Sequence, residues 1–215
     1  MASSSALRRA PVQSRSSLRV DRILEECAAA LDEMGYEAIT TSLLAARSEI
    51  SVGGLYRFFE SKQAVVAELR RRRLGEYLRR ALVTIEEWDG DWYRLATTLI
   101  DVFVEMRRTV PGSAVLQLSP VSAGLPRDPD EDQRSAELLA AGLAHRLNRE
   151  QDATFRKIVL VAYVMGDALC SQAFRVDPQG DELILQHAKA VVGAYLNGEV
   201  VAWETLAMTP DAVGS

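Results

Sequence analysis

Residues Thr40 to Lys62, TTSLLAARSEISVGGLYRFFESK, leave this chain few ways to fold. Ser42 is placed to cap a helix carrying Leu43, Leu44 and Arg47. Ser48-Glu49-Ile50 makes a joint, and Ser51 is placed to cap a second helix with Leu55, Tyr56, Arg57, Phe58 and Phe59. Two short helices on a tight turn have the size of a helix-turn-helix, whose second helix lies in a DNA major groove.

Helical periodicity governs the flanks. Val20, Ile23, Leu24, Cys27 and Leu31 recur at i, i+3, i+4, i+7 and i+11 and predict a helix over 18–34, capped by Ser17 and stopped by Gly35. The two short helices fall near 42–48 and 52–58. A long one follows from Lys62 to about Glu87, and its run Arg70-Arg71-Arg72-Arg73 reads as a solvated face. Asp89-Gly90-Asp91 breaks the chain; the stripe Trp92, Leu95, Leu99, Val102, Phe103, Met106 then runs to Pro111-Gly112. A short helix near 113–118, a loop over 119–130 and a helix over 131–148 complete the middle.

The last third is different in kind. Thr154 to Phe174 is apolar on nearly every side, and Leu183 to Leu196 is largely so. A helix hydrophobic all round must be covered all round. Two such helices from each of two subunits make a four-helix bundle, so segments 154–174 and 181–197 predict a homodimer, with Val164 and Val192 at the contact. Gly166, Ala168, Ala173, Ala190 and Gly193 would let the helices approach closely. No strand pattern or internal repeat competes, and the fold class is all-α. The expected division is a disordered basic arm over 1–16, a helix-turn-helix domain over 17–65, and a larger helical domain over 66–215.

The net charge of −5 argues against a nucleic-acid binder until its distribution is read. Residues 1–82 hold 14 Lys and Arg against 10 Asp and Glu, a net of +4, while residues 83–215 hold 11 against 20, a net of −9. A basic first third on an acidic remainder directs its field at phosphates. Cys27 and Cys170 stand in apolar patterns, offer neither a disulfide framework nor zinc spacing, and read as small core residues. No uninterrupted apolar run approaches the ~18 residues of a membrane span, and the N-terminal stretch lacks the apolar centre of a secretory signal. A cytoplasmic protein with no membrane partner is expected. His145 and His187 are far apart; phosphate loop, nucleophile elbow and metal-ligand spacing are missing, so no catalytic residue, metal or cofactor is expected.

The residues LYRFF and SK, preceded by S and GG, resemble the DNA-binding domain of the TetR family of bacterial transcriptional repressors, over Val20 to Leu69. The resemblance implies that Thr41 and Ser42 hold phosphate at the start of the first short helix. It places Ser51, Val52, Gly53 and Gly54 at the turn and first positions of the reading helix. Tyr56 matches a phosphate-binding Tyr, Arg57 and Phe58 lie on or beside the reading face, and Lys62 matches a phosphate-binding Lys. Arg57 is the one side chain of that helix able to grip guanine bidentately. Two residues depart from the family pattern. Glu49 stands where Gly is usual, in a turn that favours positive φ, and Val52 replaces a residue that is often polar. Arg8, Arg9, Arg15 and Arg19 form a basic stretch ahead of this domain, able to lie in a minor groove or on phosphates.

For the remainder, the resemblance implies a domain that binds a small molecule and dimerises. Trp88, Trp92, Phe103, Met106, Gln117, Phe155, Tyr163 and Phe174 are a compatible lining, with Leu116 and Met165 beside them; the same residues also read as plain core. Asp167, Gln172 and His145 are further polar candidates. The expected function is a repressor released from a pseudo-palindromic double-stranded operator by a small apolar effector. The alternative is a constitutive DNA-binding protein without ligand control.

Overall fold

Gly, Pro and Asp breaks separate the helix-forming stretches, and the folded chain follows that punctuation. A computed structural model describes residues 10–117 and 130–207. Its helices are α1 (Ala10–Ala38), α2 (Thr41–Arg47), α3 (Val52–Tyr56), α4 (Lys62–Glu86), α5 (Trp92–Thr109), a 3₁₀ turn (Ser113–Gln117), α6 (Glu131–Leu147), α7 (Ala153–Val176) and α8 (Glu182–Ala207). No strand occurs among the described residues, and the all-α class holds.

Two compact units divide the chain. The first holds residues up to Leu74 together with Val110–Arg127, and the second holds Gly75–Thr109 and everything from Asp128 on. The division thus falls inside α4, at 74/75, and not at the expected 65/66. The N-terminal side also differs. Residues 10–16, expected in a disordered arm, form the first turns of α1, with Pro11 at a position where its missing N–H has no helical partner. Arg8 and Arg9 lie outside the described residues.

In the first unit α1 buries Ile23, Leu24, Cys27 and Leu31, the stripe its periodicity marks. Gly35 at φ 76 ends its regular part, a conformation closed to most side chains. Leu44, Leu55, Val65, Val66 and Leu69 complete this core. The arginine run of α4 is not a plain solvated face. Arg70 donates to the carbonyls of Val115 and Leu116 at 3.2 and 2.7 Å, and Arg73 to that of Pro111 at 2.9 Å. Arg72 bridges Asp21 and Glu68 at 2.6 and 3.0 Å, which ties α4 to α1. The Arg70 and Arg73 guanidinium groups satisfy carbonyls that a tight turn leaves without helical partners.

In the second unit α7 packs against α6 and α8, and α8 against α5. Aspartates start the helices: Asp91 accepts from Arg94 N, Asp152 from Phe155 N and Asp181 from Ile184 N, at 2.9, 2.7 and 2.9 Å. Asp152 also accepts from Trp203 Nε1 at 2.8 Å, pinning the start of α7 to the far part of α8. By length and composition α7 is apolar enough to cross a membrane, a property that core helices share, and Arg156, Lys157, Asp167 and Arg175 interrupt its apolar run. Gly193, expected at a subunit contact, is used inside the subunit: a Cβ there would stand 2.5 Å from the Tyr93 ring. Cys27 and Cys170 are buried, and burial pushes both thiols up to about 12, as small core residues require.

Candidate nucleic-acid interface and aromatic cluster

The short helices are fixed by hydroxyl caps. Ser51 Oγ accepts from Gly54 N at 3.0 Å, as its place before α3 predicts. The cap of α2 is Thr40 and not Ser42: Thr40 Oγ1 accepts from Leu43 N at 3.1 Å, and Ser42 stands exposed within the first turn. Thr41 Oγ1 lies 3.4 Å from the Tyr56 hydroxyl, bringing two expected phosphate contacts together across α2 and α3. Arg47 locks α2 onto α1 through Glu26 at 2.9 Å and a two-pronged grip on Glu33 at 2.6 and 2.9 Å. That grip holds the Glu33 carboxyl below the usual carboxylate range.

With its frame held, α3 buries Leu55 and leaves Val52, Gly53, Tyr56 and Arg57 exposed. Phe59, just past α3, is buried as well, and Phe58 is half-buried beside the exposed face. A Cβ on Gly53 would meet nothing within 4 Å, whereas one on Gly54 would crowd the Ser51 cap hydroxyl at 3.1 Å. A groove of about 310 Å³ opens between Arg19, Glu49, Ile50, Ser51, Gly54, Arg57 and Phe58. Glu49 takes φ 56, so the turn keeps the shape that glycine would give it, and its carboxylate pairs with Arg22 at 2.7 Å. Among the described residues Arg19 and Arg57 have no acidic partner. Lys62 is half-buried; its Nζ donates to the Tyr36 carbonyl at 3.3 Å and sits 4.3 Å from the centroid of the Tyr36 ring.

The second unit gathers most of the expected effector residues into two aromatic groups. Trp88 and Trp92 stand 4.4 Å apart, Trp92 meets Phe155 at 6.5 Å, and Phe155 meets Trp203 at 4.8 Å. Phe103 meets Tyr77 edge-on at 5.5 Å and Phe174 at 6.4 Å. Tyr163 and Tyr77 are phenols crowded by neighbours, each with part of its surface still open. Burial drives both well above the usual tyrosine value, so each remains a neutral hydrogen-bond donor. Ser135 beside Tyr163 offsets part of that rise, its hydroxyl donating to the Glu131 carbonyl at 2.8 Å, while no described residue hydrogen-bonds the Tyr77 hydroxyl. Met106 is buried with these groups; His145 and Gln172 are exposed. Gln117 belongs to the other unit and its side chain lies outside the described residues.

A family of bacterial regulatory proteins, the tetR family, matches residues 23–69. A second, the tetracyclin repressor-like C-terminal domain, matches residues 90–200, more than half of the chain. The chain belongs to the TetR family. Its structure resembles that of a TetR-family transcriptional regulator from Streptomyces coelicolor, 36% identical over 84% of this chain and 98% of that one, with a TM-score of 0.68. A fatty acid degradation regulator, FadR from Bacillus halodurans, shares the fold at 18% identity, 83% and 94% coverage and a TM-score of 0.60. A TetR-family regulator from Pectobacterium atrosepticum does so at 15% identity, 86% and 95% coverage and a TM-score of 0.68. No curated protein matches the chain.

As a TetR-family member the chain is a DNA-binding transcriptional regulator with a helix-turn-helix head and a C-terminal domain of the ligand-binding type. The head matched by the family contains all ten residues assigned to DNA from sequence. Two aromatic residues escaped sequence reading. Tyr77 lies beside the arginine run, whose charge masked it, and Trp203 lies beyond the expected end of the last helix near 197. The i, i+4 spacing of Tyr77 from Arg73 and Ala81, with Ala81 buried, was the available signal for an inward face.

Proposed function

We propose that this regulator is a cytoplasmic homodimeric repressor that holds a pseudo-palindromic operator and leaves it when a small, mostly apolar effector enters the second unit. Arg57 carries the DNA part of this reading. It is exposed at the end of α3, free of any acidic partner among the described residues, and flanked by open surface at Val52 and Gly53. A guanidinium so presented is suited to guanine O6 and N7 in a major groove. Thr41, Ser42, Ser51, Tyr56 and Lys62 serve in this reading as phosphate or backbone contacts, and Phe58 lines the same groove as Arg57.

The effector part is supported by Tyr77. Its hydroxyl sits on a ring packed against Phe103, has no hydrogen bond to a described residue and is free to donate to an acceptor on a ligand. The effector in this reading is mostly apolar and carries an acceptor for that hydroxyl. Operator selection from a random duplex library, followed by titration of the selected site with and without candidate effectors, tests both parts. A selected palindrome that the effector releases supports them; a selected palindrome whose affinity no bound effector alters leaves a constitutive DNA-binding protein.

A further inference from the structure

Glu49 is the acid in a groove whose other charged residues are Arg19 and Arg57. It occupies a positive φ that glycine adopts without strain and a glutamate does not. Among the described residues its one partner is Arg22, and the pair is well exposed, at 75% for the Glu49 side chain and 48% for that of Arg22. An ion pair so open to water adds little to the stability of the fold. Stability therefore does not account for an acid here. What Glu49 does have is position: it lines the groove shared by Arg19, Ser51, Gly54 and Arg57.

We propose that Glu49 withholds Arg22 from the phosphate backbone, so that Arg22 is a latent DNA contact and Glu49 sets the sequence-independent part of the affinity. The inference rests on α3 being the DNA-reading helix. An arginine that meets a phosphate releases a condensed counterion, and this release supplies most non-specific binding. An arginine already neutralised by a carboxylate brings no net charge and releases none. Arg19 and Arg57 carry their charge to the DNA, whereas Arg22 carries an ion pair. The base preference of the head is untouched by this device, because phosphates read the same in every sequence.

The test is a double-mutant cycle on the full chain: wild type, Glu49→Gln, Arg22→Gln and the pair together. Each is titrated on the selected operator and on random duplex between about 50 and 200 mM salt. Glu49→Gln keeps shape and removes charge, and a thermal melt of each variant verifies folding. Expected for Glu49→Gln is tighter binding to both duplexes, with the slope of log affinity against log salt steeper by about 0.9 per subunit. Arg22→Gln alone should leave the slope as in wild type, and the double variant should return to it. An unchanged slope in Glu49→Gln, or a gain that survives the removal of Arg22, overturns the proposal. So does weaker operator binding with random DNA unchanged, which would make Glu49 a base-reading acceptor. If wild type binds neither duplex in a salt-dependent way, the reading of α3 itself fails; if wild type binds and the cycle is flat, only the latent role of Arg22 fails.

Discussion

Arg57 and Lys62 stand a few residues apart and should fail in different ways. Arg57→Ala is expected to cost about 1–3 kcal/mol on the operator and to relax preference at one base pair in each half-site. Lys62→Ala should weaken all sequences alike and flatten the salt slope by about one unit for each phosphate that Lys62 neutralises. Titrations on operator and random duplex separate the two, and equal weakening on both by Arg57→Ala would make Arg57 a phosphate-binding residue. Asp152 offers a residue-level test of the fold. Its carboxylate caps α7 through Phe155 N and also takes the Trp203 indole, so Asp152→Ala is expected to destabilise by about 1–2 kcal/mol in chemical denaturation. The Phe155 N–H first, and Trp203 after it, hold this carboxyl below its ordinary value of 3.8. A depressed folded value contributes stability that is present above the unfolded value and is lost as pH falls through the folded one. The gap between wild type and Asp152→Ala should therefore close below about pH 4. Single residues were legible where one chemistry was available. Ser51 is the one hydroxyl directly before Val52, and it caps. Thr40, Thr41 and Ser42 offer three hydroxyls in a row, and the choice of Thr40 follows from where the chain enters α2, which spacing alone does not fix.

At the scale of elements, α7 and α8 hold the next test. The second unit covers one side of each and leaves an apolar side outward: Val161, Val164 and Ala168 on α7, Leu183, Ala190, Val191 and Val201 on α8. Arginine at Val164 or Val191, 43% and 46% exposed, is expected to give monomers in sedimentation while the helices stay folded. Unchanged dimer mass in both variants contradicts a dimer through this face. Val192 was expected at the same contact, but it is only 4% exposed within the subunit, and arginine there should unfold the second unit instead. All-round apolarity marked both sides of these helices as faces to be covered. It could not tell which side faces the subunit's own core, because Val191 and Val192 are chemically identical neighbours. The same limit explains the helix ends: α8 runs on to Ala207 with no Gly or Pro to mark a stop near 197 beyond the tolerated Gly198.

For the whole molecule, the proposed control requires an effector to bind DNA-competent and DNA-incompetent forms with different affinity. α4 is one helix from Lys62 to Glu86, with Lys62 among the proposed DNA-binding residues and Tyr77 beside Phe103, so it is the element that both sites share. A true effector should alter the fluorescence of Trp88, Trp92 and Trp203 and lower operator affinity in parallel; saturation with no change in operator affinity would leave the second unit as a dimerisation module. The head was readable from sequence because its job fixes local chemistry at fixed spacing. The proposed effector lining was only half readable, since its residues are brought together from α4, α5, α7 and α8 by packing and have no motif. The most direct measurement is the affinity of the purified protein for its selected operator beside a random duplex of equal length, at one physiological salt concentration. Operator binding tighter by about 10³-fold or more, sensitive to salt, is expected. Equal affinity for the two duplexes would contradict a sequence-reading regulator built on α3.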